Sequence, residues 1–171
     1  MILSYQKFQF LQGATLNNQK LIENCIKDAE FMDFRKIAGE TVYNGIISEQ
    51  NSDAGYSDEL LSLLEKGVYE CISNFAYAAY VMRGDLVSTF SGVVQKSNQY
   101  SEHMDLGTRK NTYVYYRDIA CEYYELVRKE IEEYFGVGKC VNDGGERRDM
   151  CSELIGVRRG NGKGRVEIID M

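Results

Sequence analysis

The sequence predicts a mainly α-helical fold: a small helical bundle with a β-prone loop or hairpin between its two longest helices, and an extended, hairpin-capable C-terminal tail. Three observations carry this expectation. Apolar residues recur at helical spacing through several stretches. The 171 residues include no proline, so glycine is left to punctuate the helices. All the aromatic residues precede Gly136, and beyond it the composition turns to glycine and charge. A chain of this length suits one domain with a real core. An apolar share of 44% and a charged share of 27% place it among globular proteins.

Residues 18–36 set Leu21, Ile22, Cys25, Ile26, Ala29 and Met32 on one helical face, with Asn17 or Asn18 as the cap. "IAGETVYNGII" repeats the pattern through Ile37, Val42, Tyr43, Ile46 and Ile47, weakened by Gly39 and Gly45. "SEQNSDAGYS" reads as a loop. From Ser57, a cap followed by Asp58 and Glu59, a long helix carries Leu60, Leu61, Leu64, Val68, Cys71, Ile72, Phe75, Ala79 and Met82. It is about 39 Å long at about 1.5 Å per residue. Its other side holds Tyr69, Tyr77 and Tyr80, so more than a narrow stripe is expected to be covered. The last helix is the clearest, with Tyr116, Ile119, Ala120, Tyr123, Val127, Ile131 and Tyr134 on one face and Gly136 as its stop. Glu125 and Lys129 are placed for an i,i+4 pair.

Between the two longest helices lies "GDLVSTFSGVVQKS", followed by a polar run, far more chain than an antiparallel helix pair needs. We therefore divide the chain into a helical domain, 1–136, with an interaction loop at 84–107, and a glycine-rich arm, 137–171. The arm holds two β-prone runs in "ELIGVRRGNGKGRVEIIDM" separated by turn chemistry. A lone hairpin is marginal in water, so the arm is expected to order against something else.

Few residues point to chemistry. His103 is the only histidine, which excludes a bundle with two Glu-x-x-His helices and leaves a Ser/His or Cys/His nucleophile one residue to work with. A solvated or interface histidine is the simpler reading. "GVRRGNGKGR" ends like a phosphate loop, but Val157 stands where its first glycine belongs and Gly164 where Ser or Thr belongs. The five cysteines never form a C-x-x-C pair, which argues against a disulfide framework or zinc site and for a reducing compartment. Residues 1–12 lack the apolar run of a signal peptide, and no segment approaches a membrane span. We expect no cofactor, no metal and no membrane partner.

The net charge of −6 argues against a surface built to neutralise phosphates. Residues 137–171 carry seven basic and six acidic side chains, +1, leaving −7 for residues 1–136. The pairs Arg147–Arg148 and Arg158–Arg159 are read as interface anchors or as solvated surface. The tyrosines, thirteen in all, sit at core-like spacing and are read as core and subunit-interface residues rather than a base-stacking surface.

The order of elements, a helix, "RKIAGETVYNGII", a long helix ending "NFAYAAYVMRGDLVSTFSGVVQKSNQYSE", then "YYRDIACEYYELVRKEIEEYF", resembles the head-to-tail connector (adaptor) proteins of tailed bacteriophages, of the type in Bacteroides and crAss-like phages. The likeness covers residues 18–136. Its most specific piece is the join to "FSGVVQKS", where that family also places a short extended or hairpin segment before its final helix.

The resemblance implies a non-enzymatic virion protein at the head–tail junction, assembled in the host cytoplasm. Subunits would form a ring of about twelve copies by heterologous contacts that close by rotation. Its partners would be itself, the portal protein, and neighbouring tail or ring proteins, with DNA passing the lumen without specific binding. "LVSTFSGVV" would then be an interaction loop working by strand addition, anchored by Leu86, Val87, Phe90, Val93 and Val94. The arm would contribute Arg147, Arg148, Ile155, Val157, Arg158, Arg159, Val166 and Ile168 once the ring assembles. The alternative is a small cytosolic helical adaptor or regulator acting as a dimer.

Overall fold

The computed structural model describes residues 1–13, 18–83, 86–89, 92–95 and 105–137. It is mainly helical, as the periodicity predicts. The first helix, α1 (Tyr5–Gln12), was not expected. Its end signals are nonetheless in the sequence: Ser4 Oγ accepts from the Lys7 amide at 3.2 Å, and Gly13 at φ 60° closes the last turn. Only Phe8 of this helix is buried, too sparse a pattern to register as periodicity.

Helix α2 (Gln19–Asp28) starts at Asn18, whose Oδ1 accepts from Leu21 N at 3.2 Å, and buries Ile22, Cys25 and Ile26 as expected. The helix then changes pitch. Ala29–Phe34 is π-helical and runs directly into α3 (Arg35–Ala38). A π turn holds more residues than an α turn, so side chains after it fall on different faces. Met32, expected on the apolar stripe, is 63% exposed, while Glu30 and Phe34 turn inward beside Ile37 and Ala38.

Gly39, at φ 83°, breaks the helix in a conformation that side chains with a Cβ rarely adopt, and α4 (Glu40–Gln50) follows. Val42 and Ile46 are buried. The helix continues through Ser48, Glu49 and Gln50, so the connection expected from Ser48 is confined to residues 51–57.

The long second helix is continuous over residues 58–83 as α5 (Asp58–Leu63), a π-helical stretch (Leu64–Val68) and α6 (Tyr69–Arg83). Ser57 caps it, Oγ accepting from Leu60 N at 3.2 Å. Leu60, Leu64, Val68, Cys71, Ile72 and Phe75 are buried, and so are Tyr69, Ser73, Asn74, Ala76 and Ala78. This helix is thus covered on several sides, whereas Leu61, placed with the stripe from sequence, is 39% exposed.

Two strands, β1 (Leu86–Thr89) and β2 (Gly92–Gln95), pair antiparallel between the two longest helices. Helix α7 (Leu106–Tyr134) begins ten residues before the apolar face that revealed it, inside the stretch expected as loop 84–107. Asp105 caps it, Oδ1 accepting from Thr108 N at 3.0 Å. Ala120, Cys121, Tyr124, Val127 and Ile131 are buried, and Gly136 adopts φ 70° just past the helix end. Glu125 accepts from Arg128 at 2.7 Å, rather than from Lys129.

Helices α6 and α7 form the largest packing pair, and one hydrophobic cluster joins them to α1–α5. Gly67 sets their separation near its base. A Cβ there would lie 2.6 Å from the Tyr123 carbonyl oxygen and 3.0 Å from Val127 Cγ1, so only glycine lets α7 approach this closely. The ring of Tyr124 meets Phe34 edge-on at 5.7 Å, tying the first π-helical turn to the same seam.

Candidate interaction surface

In the hairpin, Leu86 is paired with Gln95, Val87 with Val94, Ser88 with Val93 and Thr89 with Gly92. Four of the expected loop anchors, Leu86, Val87, Val93 and Val94, therefore lie on paired strands. Phe90 lies outside the described residues, as do His103 and the anchors of the arm, Arg147, Arg148, Ile155, Val157, Arg158, Arg159, Val166 and Ile168. No third strand joins the hairpin among the described residues.

Polar ties join α7 to the rest of the helical domain at two places. Near the middle of α7, Arg117 donates from Nη2 to Asp33 Oδ1 at 2.8 Å, with side chains 7% and 17% exposed. Its guanidinium also lies 5.1 Å from the ring centroids of Phe75 and Tyr113. At the last residue of α7, Tyr134 donates to Glu49 Oε1 at 2.7 Å and lies 2.7 Å from Ser57 Oγ. Gly45 leaves room there for the Phe135 ring, which occupies the space a Cβ would need.

Glu30 makes a further polar tie, and a buried one. It is 4% exposed, and its Oε1 accepts from Leu3 N at 2.8 Å. Burial pushes its carboxyl above the ordinary carboxylate range against the opposing pull of that backbone hydrogen bond. Neither Glu30 nor the Asp33–Arg117 pair was found by sequence reasoning, because a charged residue on a helix normally marks its solvated face. The one available signal was the lack of a consistent apolar register across residues 29–38.

Among the described residues no group of three or more His, Cys, Asp or Glu is placed to hold a metal ion. Cys25, Cys71 and Cys121 are buried, and burial raises the Cys25 thiol above its ordinary value. An open groove of about 480 Å³ between α5 and α7 is lined by Glu59, Ser62, Leu63, Glu130, Glu133 and Tyr134. Lys66 pairs with Glu130 at its side. Among the described residues no helix is long and apolar enough to cross a membrane.

What the surface does offer is large apolar side chains amid charge. Phe10, Phe31, Met32, Leu106, Tyr115 and Leu126 are each more than half exposed. Aromatics, methionine and arginine in such settings are typical of protein contacts.

The chain gives no significant match to a curated protein or to a solved structure. Residues 34–133, from the end of the first π-helical turn to the last turn of α7, match a family of unknown function, DUF6712. That span contains α3–α7, both strands and the α6–α7 seam. The chain belongs to the DUF6712 family.

Proposed function

We propose that the protein is a structural virion component, a head-to-tail connector whose copies form a ring joining portal and tail while DNA passes through the channel. The single observation that carries this reading is the two-stranded hairpin that falls between the two longest helices in chain order, which is the feature on which the resemblance to connector proteins is most specific. A hairpin that no third strand joins among the described residues suits strand addition by a neighbouring subunit or by the portal protein, through backbone hydrogen bonds. Leu86, Val87, Val93 and Val94 are its anchors, with Phe90 between the strands in sequence. The arm, 137–171, extends the same role at longer range through Arg147, Arg148, Ile155, Val157, Arg158, Arg159, Val166 and Ile168. The negative charge of residues 1–136 suits a channel past which DNA slides.

Electron microscopy of the protein, purified alone and with the products of neighbouring genes, tests this. The expected result is a ring of about twelve subunits, or a ring nucleated on the portal protein. A uniform dimer that ignores the portal protein would instead establish the regulator reading.

A further inference from the structure

Helix α4 is attached differently from the rest of the domain. It lies between two glycines of positive φ, Gly39 at 83° and Gly55 at 71°, and a Cβ added at either would meet no atom within 4 Å. Both joints are uncrowded, so the chain can pivot at Gly39 while Gly55 lets the 51–57 connection follow. Among the helices, α4 packs most extensively on α3, which precedes it directly in the chain. It buries only Val42 and Ile46, whereas α6 buries eight residues between Tyr69 and Ala78. Elements with few buried apolar contacts open at a lower free energy than the core.

What holds the far end of α4 comes from other parts of the chain. Glu49 accepts from the Tyr134 hydroxyl at Oε1, 2.7 Å away, and from Ser57 N at Oε2, 3.2 Å away. Gly45 abuts the Phe135 ring, which meets the Tyr134 ring edge-on at 4.9 Å, so the two rings brace each other. Gln50 Nε2 donates to the Met1 carbonyl oxygen at 2.6 Å. At the near end the polar ties only span the joint: Arg35 donates to Glu40 Oε1 at 2.6 Å, and its guanidinium lies 5.8 Å from the Tyr43 ring centroid. Helix α4 is thus jointed at one end and clasped at the other by the last residue of α7 and the one that follows it.

We infer that α4 is a latched lever: it opens as a unit about Gly39, and Tyr134 and Phe135 hold it shut, so that α4 and the end of α7 are coupled. Opening parts the Tyr134–Glu49 hydrogen bond, withdraws Gly45 from the Phe135 ring, and bares Val42 and Ile46. By linkage, whatever displaces the latch favours the open lever, and an open lever frees the latch. Val137 and the arm follow Phe135 after a single glycine, so the root of the arm is tied to the position of α4. The device does not rest on the connector reading.

Hydrogen exchange of the full chain, read by mass spectrometry of its peptides, tests the lever. In wild type the amides of α4 are expected to exchange about tenfold or more faster than those of α2 and α6. Tyr134→Phe, which keeps the ring and loses the hydroxyl, and Phe135→Ala are each expected to speed exchange across α4 by about threefold or more, with α2 and α6 as in wild type. Glu49→Ala tests the reverse direction and is expected to speed exchange in the last turn of α7 as well as in α4. Lys66→Ala removes an exposed pair with Glu130, one turn before the latch, and is expected to leave α4 unchanged. Exchange of α4 in step with α6 in wild type would overturn the lever. So would latch variants that speed every helix equally, a Glu49→Ala chain whose α7 end is unaltered, or a Lys66→Ala chain that loosens α4 as much as the latch variants do.

Discussion

Arg117 of α7 reaches across α6 to Asp33 at 2.8 Å, and its guanidinium is sandwiched between Phe75 and Tyr113. The ion pair thus joins the first π-helical turn to the longest helix at the centre of the bundle. Removing one partner leaves the other charge buried, so Arg117→Ala or Asp33→Ala is expected to lower stability by about 3–5 kcal/mol in urea unfolding. The double change Asp33→Leu/Arg117→Met is expected to cost far less than the sum of the single losses. Strict additivity in that cycle would mean the pair is not coupled.

Gly67→Ala is expected to destabilise despite alanine's better helix propensity. Propensity favours alanine by about 1 kcal/mol. The new Cβ, however, meets a backbone carbonyl oxygen of α7 at 2.6 Å, which no rotamer change relieves. We expect a net loss of about 1–3 kcal/mol, as in overpacked cores. Gly45→Ala offers the control, because the atoms it meets belong to the Phe135 side chain, which can swing aside. Its thermal midpoint is expected to fall less than that of Gly67→Ala.

Glu30 gives a pH dependence whose sign follows from its environment. Its folded-state pKa is raised above the ordinary value, chiefly by burial. The folded state therefore holds the proton more tightly than the unfolded chain. This contribution to stability is present below the unfolded pKa and is lost as pH rises through the folded one. Glu30→Gln, which keeps an acceptor for Leu3 N, is expected to flatten that decline and to match or exceed wild type at pH 7. Glu30→Ala strands the buried amide and is expected to cost about 1–3 kcal/mol. Urea midpoints between pH 4 and pH 7 measure both.

Truncation after Val137 is expected to leave the helical circular dichroism and the unfolding midpoint unchanged while impairing assembly. Residues 138–171 hold no aromatic side chain, and Gly136 closes the last helix. Loss of helix on truncation would show that the arm belongs to the core.

How far the sequence revealed this structure depended on how apolar each buried face was. The α7 face was legible because Ala120, Tyr124, Val127 and Ile131, most of what it buries after Arg117, are aliphatic or aromatic, and the Asn18 and Ser57 caps were legible because short polar side chains there have a specific role. The start of α7 was missed because its first two buried residues are Arg109 and Arg117. Met32 was misplaced because a period of 3.6 does not survive a π-helical turn, and the same turn concealed Glu30. Of the candidate surface, the hairpin was visible as a β-prone interruption between two helices. The exposed apolar side chains were not, since Met32 had been assigned to the core and Phe31, Tyr115 and Leu126 had been passed over.

The widened turn at Ala29–Phe34 makes the inside and outside of the molecule inseparable. If that turn tightened to ordinary pitch, the carboxylate under the N-terminal segment would swing toward water and the phenylalanine and methionine would retreat toward the interior. A change in packing around Glu30 would then be felt at the exposed side chains of Phe31 and Met32, and a change at those side chains would in turn be felt at Leu3.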